Sequence, residues 1–151
     1  MHRIPVMIVV FCIAFFAGTV QARAQFTLNA ASDEAVPGWQ KMEIEARSVW
    51  VNPKPALTAA DIQGAEPATN RNSGQFVTVV FTETGAQKMR ELSTAQMNKL
   101  IAMVLDGKVI MAPRVRSVIG NTCVVTGKAP AGLTTDEVRR ILTSINESKK
   151  K

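Results

Sequence analysis

The stretch Leu100-Ile101-Ala102-Met103-Val104-Leu105-Asp106-Gly107-Lys108-Val109-Ile110-Met111-Ala112-Pro113 decides how the chain is read. Two apolar, partly β-branched runs meet at Asp106-Gly107, a pair that accepts the positive φ values a tight type I′ turn demands. The pattern predicts two antiparallel strands joined as a hairpin. Pro113 has no N–H to give a ladder, so the second strand should end before it. Asp106 and Gly107 are thus structural turn residues. The signature concerns folding and carries no catalysis.

Upstream of the hairpin, Gln75–Phe81 is rich in valine and phenylalanine, as strands are. Its apolar residues fall on both parities, which predicts a central strand covered on both faces. Thr82 is placed to cap a helix, with Glu83 in the first turn where the helix dipole favours acid. Ala86, Met89 and Leu92 form the apolar stripe, and Ser93-Thr94 should interrupt it before a short turn through Met97. Earlier still, Met42, Ile44 and Ala46 alternate with Lys41, Glu43, Glu45 and Arg47, the period of a strand with one wet face. That strand is expected to continue through Val49-Trp50-Val51 to the prolines at 53 and 55. Leu57-Thr58-Ala59-Ala60-Asp61-Ile62 reads as a short helix start, with Thr58 as cap and Asp61 answering it. Ala65–Thr69 reads as a strand and Asn70–Gly74 as a loop.

Downstream, Arg114-Val115-Arg116-Ser117-Val118-Ile119 sets arginines two apart, opposite valines, as on a strand. Gly120-Asn121 should turn, and Asn121–Thr126 should form a further strand. Thr134-Thr135-Asp136-Glu137 is a capping box, after which Val138, Ile141, Leu142 and Ile145 give a closing helix its apolar stripe. The succession predicts an α+β fold, a mainly antiparallel sheet with helices packed on one face. There is no internal repeat.

The 151 residues include one histidine, two cysteines and no tyrosine, with a formal charge of +6. Residues 1–24 read as a signal peptide: a basic start, an apolar run from Ile4 to Val20, and small residues at Ala22 and Ala24. The run is near the lower limit for spanning a bilayer, so retention as an anchor is the alternative. Cys12, without a small neighbour, is a poor lipidation site. Export to the periplasm or cell envelope is the expected address. Residues 25–40 mix alanine, acid, proline and glycine without period and read as a flexible tether. Residues 41–148 are the expected domain. Cleavage would remove Arg3 and Arg23, leaving a charge of about +4, much of it in Lys149-Lys150-Lys151. The remaining Cys123 cannot form an internal disulfide, so the domain must stand on its hydrophobic core.

Leu57–Ile62, Val79-Val80-Phe81-Thr82-Glu83-Thr84-Gly85-Ala86, the Leu100–Pro113 block, Ile119-Gly120 and Leu133–Glu137 together resemble the SecD family of protein-export membrane proteins. The similarity is to the head of its first large periplasmic domain and covers roughly residues 45–145. The resemblance implies a non-enzymatic α+β module working beside the protein-conducting channel with SecF, holding emerging polypeptide. It also implies a difference: no membrane helices or base subdomain accompany the head here, so proton-coupled pulling is not expected of this polypeptide alone. Ala129-Pro130-Ala131-Gly132 replaces the Gly-Asn-Phe-type lead expected before the last helix.

Side-chain chemistry points away from catalysis. Without histidine in the mature chain and with one cysteine, the usual zinc site cannot be assembled. Asp61, Glu66 and Asp106 lack calcium-loop spacing. Asp106 with Lys108 is accounted for by the turn, and Cys123 has no activating base nearby. No serine triad or phosphate loop is present. No catalytic residue, cofactor or metal is therefore expected.

Binding remains. Arg114 and Arg116 beside Trp50 and Met111 make the candidate polypeptide-binding surface, because a basic rim with adaptable apolar residues suits extended chains of mixed composition. A free sheet edge would add sequence-independent pairing. Nucleic acid is not an expected partner at this charge and without stacking aromatics. The expected function is an envelope accessory that binds unfolded or translocating polypeptide near the Sec translocon. The alternative is a structural module binding one specific folded envelope protein.

Overall fold

A computed structural model of the chain describes residues 23–151. The expected signal or anchor, residues 1–24, falls almost wholly outside them. The elements run β1 (Phe26–Ser32), β2 (Gln40–Ile44), β3 (Arg47–Val51), β4 (Leu57–Thr58), a 3-10 turn (Ala59–Asp61), β5 (Ile62–Asn70), β6 (Gly74–Phe81), α1 (Glu83–Ala95), β7 (Leu100–Leu105), β8 (Lys108–Met111), β9 (Thr122–Thr126) and α2 (Thr135–Ser148).

The β7–β8 hairpin forms as its sequence requires, with φ of +52° at Asp106 and +80° at Gly107. Leu105 pairs with Lys108 and Val104 with Val109, but Met103 pairs with Met111. Ile110 is therefore an extra residue, a bulge that bends the strand. β8 stops two residues before Pro113.

The fold is the expected α+β one, antiparallel strands with two helices packed on them; its strands divide between two sheets, and every strand pair is antiparallel. The larger runs β2-β3-β1-β7-β8 with β4 also on β1. It curls until β2 approaches β8, and Arg47 Nη2 donates to Ala112 O at 3.2 Å across the gap. The smaller runs β5-β6-β9.

Strand alternation feeds two cores. Phe26 and Leu28 of β1 join Ile101, Met103 and Leu105 of β7 in a core with Val77, Val79, Phe81, Val125 and both helices. Ala31, Leu100, Ala102 and Val104 turn the other way, into a second core with Val49, Val51, Val109 and Ala112. Every residue of β7 is consequently buried, which is why its sequence is an unbroken apolar run.

The caps act as read. Thr82 Oγ1 accepts from Gly85 N–H at 3.0 Å. Thr134 Oγ1 accepts from Glu137 N–H at 3.1 Å, while Glu137 Oε2 accepts from Thr134 N–H at 2.8 Å. Val138, Ile141 and Ile145 of α2 are buried, each such side chain contributing about 1.5–3 kcal/mol relative to exposure.

Several expectations are corrected. The stretch 25–40 is not a tether throughout, since it contains β1, the strand that pairs with β3, β4 and β7. Its alternation was masked by alanine and by Asn29, residues of low strand preference. Asn29 is tolerated in the interior because its Nδ2 donates to Asn52 O at 2.8 Å. The strand expected over 41–51 is a hairpin, turned at Glu45 and Ala46 with φ of +45° and +63°. Neither residue favours that region, so no turn signal stands in the sequence. β6 is central but covered on one face only, and Val80 is exposed. Ser93-Thr94 does not break α1. Ser93 Oγ donates to Met89 O at 2.7 Å, satisfying itself inside the helix. Residues 114–119 form no strand; Arg114 and Val115 make single bridges to Leu100 and Met97.

Candidate functional site

The segment after Pro113 is held against the end of α1 and β7 by backbone bonds, Val115 N–H to Lys99 O at 2.8 Å and Asn98 N–H to Val115 O at 2.9 Å. Val115 is buried and Arg114 and Arg116 point outward, so the predicted alternation survives without a strand. Between this segment, α1 and β7 lies an open cleft of about 260 Å³. Buried Met89, Ile101, Met103 and Val115 form its apolar floor, and Arg114 and Arg116 stand at its rim.

The two arginines differ in freedom. Arg114 Nη1 donates to Asn98 O at 2.6 Å and Nη2 pairs with Asp33, which Arg47 also approaches at 3.6 Å. Arg114 thereby ties the turn after β1 to the chain beyond β8. Arg116 is exposed and has no ion pair among the described residues.

The structure places Arg114 and Arg116 together and leaves Trp50 and Met111 outside the cleft. Trp50 is on β3, opposite in parity to buried Val49 and Val51, with Lys41 Nζ 5.9 Å from its ring centroid. Met111, ending β8, is half-buried, and its Sδ accepts from Thr126 N–H at 3.4 Å. It fastens one sheet to the other. The cleft floor was missed in the sequence because Met89, Ile101 and Met103 carry the ordinary signature of core residues.

Asp106 does more than turn. Its Oδ1 accepts from Gln25 N–H at 2.8 Å, and Oδ2 accepts from Arg140 of α2. Burial would raise its carboxyl, but Arg140 and the Gln25 amide outweigh it and hold the group below its ordinary value. Cys123 turns toward the larger core, and burial pushes its thiol up to about 12, far from the thiolate a nucleophile needs. Among the described residues no group of three His, Cys, Asp or Glu could hold a metal, and no helix is long and apolar enough to cross a membrane.

What the fold defines is an α+β module of two antiparallel sheets and two helices, with an apolar-floored cleft between α1, β7 and the segment after Pro113. The family described as SecDF, P1 head subdomain, matches residues 33–138, and the chain belongs to it. Heads of this family are periplasmic and non-catalytic. Among curated relatives, the SecD protein translocase subunit of Acidaminococcus fermentans is 36% identical over 76 residues, 50% of this chain and 18% of the relative. The SecDF subunit of Thermus thermophilus is 36% identical over 74 residues, 48% of this chain and 10% of the relative. The chain thus spans less than a fifth of either relative's length. A solved structure described as a membrane component SecDF that enhances protein export superposes with a TM-score of 0.62 at 21% identity, covering 82% of this chain and 62% of the other. SecDF in a super-membrane-facing form gives 0.61 at 22%, covering 82% and 18%. These likenesses concern the fold.

Proposed function

We propose that this chain is a non-enzymatic accessory of protein export that grips unfolded or translocating polypeptide near the Sec translocon. The observation that supports it most is the cleft, with Met89, Ile101 and Met103 as floor and Arg114 and Arg116 as rim. Methionine is flexible and polarizable, so a floor built from it accepts varied apolar side chains. Arg116, which has no ion pair among the described residues, supplies a solvent-screened cationic contact at the rim. Membership in the SecDF head family supports a place in export. Trp50 and Met111 remain in the proposed surface as flanking apolar contacts outside the cleft.

The test is titration of the full chain with one polypeptide held either unfolded or folded, at two salt concentrations. Binding of the unfolded form alone, with roughly micromolar affinity and little salt dependence, is expected where apolar and backbone contacts dominate. Equal binding to the folded form, or none to either, would refute a client-holding role. In the second case a dedicated folded envelope partner becomes the better reading.

A further inference from the structure

The two edges of the smaller sheet are not alike. Phe81 N–H donates to Asn121 O at 2.8 Å, and with Val79 opposite Cys123 and Val77 opposite Val125 this fixes which groups face inward. In an antiparallel ladder the intervening residues direct their N–H and C=O away from the partner. On β9 these are Thr122, Val124 and Thr126. Met111 Sδ takes the Thr126 N–H, whereas Val124 has no backbone partner on that side among the described residues and is 46% exposed.

The same alternation on β5 directs Ala65, Pro67 and Thr69 outward. Pro67 has no N–H, the strand carries a bulge between Ile62 and Gly64, and Glu66 is exposed. A proline, a bulge and a charge are the devices that blunt an edge against pairing. β9, reading Thr-Cys-Val-Val-Thr, has none of them. One edge of this sheet is blunted along its length, and the other, held by Met111 at Thr126, is open at Val124.

We infer that the open edge of β9 takes up a segment of extended polypeptide as an added strand, with the backbone of Val124 as the central contact. The inference rests on the client-holding reading and adds to the cleft a second, separate contact for the same extended chain. Backbone pairing asks of a client that it be extended, not that it have a given sequence, which is the property an export accessory needs. A second copy of this chain is the less suitable occupant. Five residues at about 3.4 Å each give a strand of about 17 Å, and pairing along it covers far less than the roughly 1,200 Å² of a stable dimer.

Two perturbations of the full chain and its client test this. A short unstructured peptide of alternating valine and threonine is titrated alongside the same peptide N-methylated at every residue. Full methylation leaves neither edge of the peptide with an N–H to give β9 and should weaken binding about tenfold or more. Val124→Pro, which removes the edge N–H, should weaken the unmethylated peptide similarly, with Lys54→Ala, at an exposed loop position outside both the cleft and β9, changing it much less. Thermal melting establishes that V124P folds. Should that variant fail to fold, the methylation contrast decides by itself. Binding insensitive to both changes would overturn the β9 assignment while leaving the client-holding reading intact. Absence of binding by unmethylated peptide and by any unfolded polypeptide would overturn both. A concentration-dependent dimer that Val124→Pro abolishes would replace the client with a second copy.

Discussion

Replacing Ser93 by alanine tests how the cleft segment is held. Ser93 is fully buried on α1, and besides donating to Met89 O its Oγ accepts from Ile119 N–H at 2.9 Å. Ile119 lines the cleft and stands three residues before β9. Ser93→Ala leaves the Met89 carbonyl within its helix ladder, so that loss is small. The Ile119 N–H, however, loses its acceptor in a partly buried position, at a cost of about 1–3 kcal/mol. Alanine recovers up to about 0.5 kcal/mol of helix propensity. The net expectation is a loss of about 1–2 kcal/mol, read as a lowered urea midpoint and a melting temperature lower by roughly 5 °C. The effect should also be local, with faster hydrogen exchange at Ile119 than at the Val77 or Val79 amides of β6. An S93A chain as stable as the parent, with Ile119 exchange unchanged, would refute the view that this hydroxyl anchors the approach to β9.

Other expectations concern the hairpin latch and a backbone contact. Asn is as suited as Asp to the positive φ at position 106, so Asp106→Asn separates the ion pair to Arg140 from the turn. The pair is solvent-screened, so its loss should lower the melting temperature only slightly at pH 7. The folded-state pKa of Asp106 lies below its ordinary 3.8, so this stability is present above that value and is lost as pH falls through the folded pKa. Parent and D106N melting curves should therefore converge only in acid, and a constant gap across pH would count against the latch. At Gly85, an added Cβ would lie 2.1 Å from Asp61 O. Gly85→Ala should destabilise by about 1–3 kcal/mol although alanine is the better helix former, and a higher urea midpoint in that variant would contradict the close approach of α1 to the 3-10 turn.

Much of the fold was legible where two local signals coincide. The Asp106-Gly107 turn lies between apolar runs, and the Thr82 and Thr134 caps precede apolar stripes of helical period. Legibility failed where tertiary partners override local preference. β1 is central because β3, β4 and β7 enclose it, not because Asn29 and its alanines prefer strands. The turn at Glu45-Ala46 is imposed by β2 pairing with β3, from Gln40 opposite Val51 to Ile44 opposite Arg47. Of the candidate surface, the outward parity of Arg114 and Arg116 could be read, but not the Asp33 carboxylate that engages one of them. Trp50 and Met111 were grouped with the arginines by residue type, and sequence carries no measure of the distance between strands. The contrast between Pro67 on β5 and an uninterrupted β9 was visible as residues, yet it acquires meaning only once both are known to be edges.

The position of β1 has a mechanical consequence. Phe26 to Ala31 form six consecutive register pairs with Leu105 to Leu100, and on the opposite side the strand pairs with β3 and β4. Tension applied to the chain ahead of Phe26, along the strand axis and against the rest of the sheet, strains these bonds side by side in shear. They would then share the load, where a perpendicular pull would peel them one after another. A domain built this way can bear a pull from its N-terminal side while a weaker grip elsewhere on its surface opens first.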